Sequence, residues 1–126
     1  MSNLIYVAGP YSDDDKTVVR LRMNKFAGVM ATLIEHKCHP VSPMLNHYLS
    51  GIVDIKFPLT WEWWKEYSLL LLSKCEHMIV ITGPGWEKST GVAAEIEMAN
   101  ELNIPVTYVD KRKDVLEFVE KNYKGD

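Results

Sequence analysis

Cysteine is scarce in this sequence, and long apolar runs, basic clusters and internal repeats are missing. The 126 residues hold two cysteines, Cys38 and Cys75, with no metal-ligand spacing around either. A disulfide scaffold is therefore excluded, and two buried free thiols in a reducing cytoplasm are expected. The longest apolar stretches, Leu4 to Ala8 and Leu69 to Leu72, are too short for a signal segment or a membrane span. Lys and Arg number 14 against 17 Asp and Glu, a net charge of -3, and the one basic run is Lys111-Arg112-Lys113. That balance argues against a DNA or RNA polymer as partner, while a small nucleotide stays open. With 47% hydrophobic and 25% charged residues, the chain reads as one compact domain over residues 1–126.

What is present alternates between two periods. Leu4-Ile5-Tyr6-Val7-Ala8, closed by Gly9-Pro10, is a continuous apolar run of the kind found in parallel strands covered on both faces. Ser12 and Asp13 to Asp15 supply cap chemistry for a helix whose apolar stripe runs from Val19 to Ile34. Cys38 to Ser42 is a second short strand. From Pro43 to about Pro58 no period holds, and a loop of that length is usually functional. Thr60 caps a helix through Trp61, Trp63, Trp64 and Tyr67 to four leucines, apolar nearly all round and so either deeply buried or half of a subunit contact. His77 to Ile81 is a third strand, Ser89 to Asn103 a helix, Ile104 to Val109 a fourth strand, and Asp114 to Asn122 a closing helix. Such alternation requires a parallel sheet with helices on both faces, and ligands bind such sheets at the carboxyl ends of the strands. Gly9 to Ser12, the loop after Ser42, and Thr82 to Gly91 should meet there.

The segment Gly83-Pro84-Gly85-Trp86-Glu87-Lys88-Ser89-Thr90-Gly91 leads from a glycine turn into a helix start. Free N–H groups and the positive end of the helix dipole make that start an anion site. No Gly-Lys-Ser/Thr and no GxGxxG is present, so it is neither a Walker loop nor a dinucleotide fingerprint. Glu95 lies roughly 9 Å further along the helix axis. It shares a face with Gly91 and Val92, and an inward carboxylate costs free energy unless it is paired or used. Glu97 points away from that face and reads as a solvated residue. His36 and His39 bracket Cys38, but neighbours in a strand alternate faces, so no metal site is expected. Trp61, Trp63 and Trp64 fit a core or subunit contact better than a stacking site, while Trp86 sits inside the anion loop.

Three patterns, Tyr6-Val7-Ala8-Gly9-Pro10-Tyr11-Ser12, Ser42-Pro43, and Gly85-Trp86-x-x-Ser89-x-Gly91-x-x-x-Glu95, together resemble the nucleoside 2-deoxyribosyltransferase-like superfamily. The likeness covers roughly residues 3 to 110 and is greatest to the small phage and bacterial branch. The chain is also similar to the deoxynucleoside 5′-monophosphate N-glycosidases, which share the Ser-x-Gly-x-x-x-Glu spacing. The resemblance implies that Glu95 is the nucleophile and that Tyr6 orients it. It implies that Ser89 and Gly91 hold a phosphate, and that Gly9, with Pro10 and Tyr11, lets backbone approach the ligand. Ser42, His47 and Trp86 complete the expected substrate-binding set. Two positions depart from the pattern: Ser68 stands where the family has an aspartate, and Ser12 where the nucleotide hydrolases have an arginine, for which Arg20 or Arg22 could substitute.

The expected architecture is accordingly a flavodoxin-like (Rossmann-like) three-layer sandwich with a parallel sheet of four to five strands. The expected activity is cleavage or transfer at the N-glycosidic bond of a (deoxy)nucleoside or its 5′-monophosphate, through a covalent glycosyl-glutamate and without metal or organic cofactor. His47, Asp54, or the base's own ring nitrogen with solvent could supply the proton to the leaving base. Two rivals are a nucleotide-binding module without turnover and a ribonucleotide or NAD-type glycohydrolase. A cytoplasmic homodimer is expected, because family members build their sites across a dimer and the tryptophan–leucine helix suits such a contact.

Overall fold

The computed structural model describes residues 4–45 and 60–123. Four strands, β1 (Leu4–Ala8), β2 (His39–Val41), β3 (His77–Ile81) and β4 (Val106–Val109), pair in the order β2-β1-β3-β4, all parallel. Four helices connect and close them: α1 (Lys16–Glu35), α2 (Trp61–Leu72), α3 (Thr90–Glu101) and α4 (Arg112–Tyr123). The chain is thus a flavodoxin-like three-layer α/β domain, with four strands among the described residues. No helix among them is long and apolar enough to cross a membrane.

Strand alternation sorts the core into two halves. Ile5 and Val7 of β1, with Ile79 and Ile81 of β3, pack on Phe26 and Leu33 of α1 and on Val115 and Phe118 of α4. Tyr6 and Ala8, with Met78 and Val80, face the other layer, where Leu72 of α2 and Val92 and Ala99 of α3 cover them. The central strands are mostly apolar because both faces are covered, which is why their limits are readable from composition.

Local chemistry sets the ends of the helices. Asp15, rather than Ser12, caps α1 by accepting from the Thr17 N–H at 2.8 Å, and Thr60 caps α2 by accepting from the Trp63 N–H at 3.2 Å. Both α1 and α3 end on a residue with positive φ, Lys37 (66°) and Asn103 (58°), in the left-handed turn that closes helices. The second of these moves a boundary. Ile104 donates its N–H to the Ala99 carbonyl at 2.8 Å, so it belongs to the helix end and β4 starts at Val106.

α2 is neither wholly buried nor wholly exposed. Among its residues Ser68 and Leu72 are buried, while Leu70 is 63% and Trp61 48% exposed.

Two glycines give opposite expectations. A Cβ on Gly9 would lie 3.2 Å from the Ile81 Cβ, so β1 can leave the sheet beside β3 only without a side chain there. Gly28, within α1, has nothing within 4 Å of such a Cβ. Gly9→Ala should lose roughly 1–3 kcal/mol of stability by overpacking, and Gly28→Ala should gain roughly 0.5–1 kcal/mol from helix propensity. Urea unfolding of the two variants checks both signs.

Candidate active site

In a sheet ordered β2-β1-β3-β4 the strand order reverses between β1 and β3, the place where doubly wound folds open a crevice. A cleft of about 740 Å³ lies there, lined by the segments that follow β1 (Gly9 to Asp13), β2 (Pro43, Met44) and β3 (Pro84, Gly85), and by the start of α3. Trp61, Trp64 and Ser68 of α2 and Val18 and Arg22 of α1 complete its described wall. A smaller, mostly apolar cavity of about 180 Å³ adjoins it on the α1 side and shares Arg22, Gly9 and Met44.

Glu95 and Tyr6 come together at the bottom of the cleft. Strand alternation sends Tyr6 to the α2/α3 side, where it is 0% exposed, and its hydroxyl donates to Glu95 Oε2 across 89 residues of sequence. Ser68 of α2 is buried beside Tyr6 and acts on its hydroxyl, so β1, α2 and α3 meet at this pair. Glu95 lines the cleft while its carboxyl is enclosed largely by protein. Burial pushes its pKa from 4.5 up to about 7, opposed by the Tyr6 hydrogen bond, which favours the carboxylate. Burial, and then the neighbouring Glu95 charge, holds Tyr6 far above its usual range, so it remains a donor throughout. Glu97 is exposed.

The start of α3 forms a different wall. Gly85, at φ 84°, turns the chain into a short 3-10 segment, Trp86–Lys88, and Ser89 caps α3 by accepting from the Val92 N–H at 3.2 Å. The N–H groups of Thr90 and Gly91 precede the first intrahelical bond, and both residues line the cleft. A Cβ on Gly91 would meet nothing nearer than Ser89 Oγ at 3.9 Å, so this floor is open rather than packed. Lys88 also lines the cleft.

Of the two arginines of α1, Arg22 is the one that lines the cleft. From α1 its guanidinium donates to the Ser12 carbonyl at 2.8 Å and to the Pro84 carbonyl at 3.1 Å, with Asp13 3.9 Å away. It ties the loop after β1 to the loop after β3 and presents its charge to both cavities. Arg20 is exposed and lines neither. The cleft is therefore polarised, with a half-buried acid at one wall and Arg22, Lys88 and a helix N-terminus along the others.

The remaining expected residues divide. Gly9, Pro10, Tyr11, Ser89 and Gly91 line the cleft with Glu95. Ser42 does not: it is buried, and its hydroxyl accepts from the Met44 N–H at 3.2 Å. Trp86 does not either, because its ring packs against Tyr108 of β4 with centroids 5.6 Å apart. His47 and Asp54 lie outside the described residues. Asp13, Met44, Trp61 and Trp64 join the wall, though sequence reasoning gave them capping, loop or core roles. The readable signal was the spacing of Trp61, Trp64 and Ser68, which share one helical stripe. His36 points its Nδ1 at the Thr32 carbonyl (2.9 Å), and no group of three metal-ligating side chains occurs among the described residues.

Fold and cleft together define a doubly wound α/β domain whose cleft lies at its switch point. Within that class the chain belongs to the family described as a domain of unknown function, DUF1937, which matches residues 3–111. No curated protein matches the sequence.

An acid whose folded pKa is raised stabilises the fold least when ionised. Here full stability holds below pH 4.5, falls as pH rises toward 7, and is flat above. Glu95→Gln keeps an acceptor for Tyr6 and removes that dependence. The variant should therefore gain roughly 2–3 kcal/mol over wild type at pH 8, and little at pH 4. Thermal unfolding at the two pH values tests this, and an equal gain at both would refute the buried carboxylate as its cause.

Proposed function

We propose that the chain cleaves, or exchanges, the N-glycosidic bond of a (deoxy)nucleoside or its 5′-monophosphate, with Glu95 as nucleophile. The observation that carries this reading is the Tyr6–Glu95 pair at the bottom of a cleft whose other wall is an anion-binding helix start with Arg22 beside it. A carboxyl that is enclosed, oriented by a fixed donor and open to a ligand suits attack on an electrophilic sugar carbon. Glu95 would form a bond from its Oε to C1′ as the C1′–N bond breaks. The electron pair leaves with the base, which takes a proton, and the Tyr6 hydrogen bond weakens as the carboxylate becomes an ester, a poorer acceptor. Water then attacks C1′, the C1′–Oε bond breaks, and the free sugar and the Glu95 carboxylate are released with a proton passing to solvent, or a second base attacks in the same way to give transfer. Ser89, Thr90 and Gly91, with Arg22 and Lys88, provide the surroundings that a 5′-phosphate needs.

The nucleophile must be ionised, so kcat/KM should rise with pH through about 7 and level off above it. Tyr6→Phe, which removes the hydrogen bond favouring the carboxylate, should move that rise to higher pH. Glu95→Gln should reduce base release from nucleosides and nucleotides by more than roughly a thousandfold. Ser89→Ala should weaken monophosphates by about 1–3 kcal/mol and nucleosides far less. Chromatography of free base across a panel of nucleosides and 5′-monophosphates measures all four. Near wild-type release by Glu95→Gln would sink the nucleophile assignment.

The same reading places the protein in the cytoplasm as a homodimer joined through the Leu69–Leu70 side of α2, residues 42% and 63% exposed. Light scattering should give about twice the 14.5 kDa of one chain, and Leu70→Asp should return the mass to that of the single chain without unfolding it. A wild-type mass of one chain at micromolar concentration rules the dimer out.

A further inference from the structure

We propose that Trp61 and Trp64 are the stacking wall for the ligand's planar ring, so that the Glu95 cleft recognises its aromatic moiety by face contact. The inference rests on the reading of this cleft as a nucleoside or nucleotide site.

Trp61, Trp64 and Ser68 stand at i, i+3 and i+7 on α2, and all three line the cleft. Ser68 is the deep end of this stripe, buried beside Tyr6, whose hydroxyl bonds Glu95. At 1.5 Å per residue, Trp64 lies roughly 6 Å and Trp61 roughly 10 Å along the axis from it, toward the mouth. A ring carried on an atom within reach of Glu95 therefore passes over Trp64, with Trp61 beyond it. Trp64 is braced for this: Trp63 meets it edge-on, centroids 4.8 Å apart and planes at 86°, and Tyr67 adjoins at 6.3 Å. Such contacts fix the plane of the Trp64 indole where it lines the cleft.

The stripe is separate from the exposed leucine side of the same helix. Leu70 projects roughly 180° from Trp61 at 100° per residue, so a subunit contact through Leu70 leaves the tryptophan stripe to the cleft. Face contact tolerates any base, because every base has a π face, and it favours the larger ring system. Met44, the cleft neighbour contributed by the loop after β2, adds a polarisable thioether rather than a directional donor. Selection on this wall thus follows ring area and not the pattern of donors and acceptors at the ring's edge.

The test uses full-length Glu95→Gln protein, so that ligand is not consumed, and reads tryptophan fluorescence and calorimetric affinity. The probes are deoxyadenosine 5′-monophosphate, thymidine 5′-monophosphate and 2-deoxyribose 5-phosphate, which has the sugar and phosphate without the ring. Both nucleotides should quench emission, the purine binding more tightly, and the sugar phosphate should not quench. Adding Trp64→Leu should weaken the nucleotides roughly 10- to 100-fold and leave the sugar phosphate unchanged. Trp61→Ala, at a half-exposed position that tolerates truncation, gives a smaller loss in the same direction should Trp64→Leu fail to fold. Trp86→Phe should retain the quench. Failure of the nucleotides to bind or quench, or equal losses for nucleotide and sugar phosphate, overturns the proposal. Base release by the wild type that is indifferent to both tryptophans also overturns it and leaves the glycosidic reading standing. Tryptophan-dependent quenching without base release from any substrate upholds the stacking wall and removes the glycosidic reading instead.

Discussion

One hydrogen bond, from Tyr6 on the central strand to Glu95 on α3, is the constraint around which the cleft is built. A carboxyl enclosed by protein and a phenol with no solvent exposure are each unfavourable alone. Placed together they satisfy one another, and Ser68 adds a third polar atom from α2. The arrangement demands that β1 present Tyr6 to the α2/α3 layer and that α3 begin near enough to the sheet for its sixth residue to meet that hydroxyl. The small buried residues of this layer, Ala8 and Ala99, let helix and strand approach. The raised pKa of Glu95 is the remaining cost of this enclosure, and it is located where chemistry can use it.

The cationic side of the cleft is held by α1 instead. Arg22 grips carbonyls of two loops, and Lys25, one turn further along, donates to the Thr82 carbonyl at 2.7 Å and pairs with Asp110. These two side chains join the ends of β1, β3 and β4 to a helix that is otherwise anchored by Phe26 and Leu33. Loops that carry binding groups are thereby tied to a rigid element, and the guanidinium is oriented before any anion arrives.

The central strands, the helices and their layering were legible in the sequence because buried parallel strands and amphipathic helices leave local signatures. Leu4–Ala8 and His77–Ile81 read to the residue. Glu95 was legible too, since a carboxylate on an inward face stands out against Ala94 and Val92. What escaped was whatever a distant partner decides. Whether Trp86 turns toward the cleft or back onto the sheet depends on Tyr108, which arrives from β4. Ser42 looked available, yet the turn that follows it takes its hydroxyl. The apolar circumference of α2 could not be divided by sequence alone, because only the position of Tyr6 tells which stripe faces the acid. Arg22 was one of two arginines on α1 until the Ser12 and Pro84 carbonyls selected it.

Among the described residues β2 is an edge strand, three residues long, and its middle residue, Pro40, pairs in register with Ile5. Proline brings no N–H, so an incoming strand would find the centre of this edge unable to donate. Brevity and a missing donor together make the β2 margin a poor template for strand addition, in copies of this chain or in partly unfolded neighbours. The domain thus keeps a largely apolar central sheet while its β2 margin resists the edge-to-edge growth that such sheets invite.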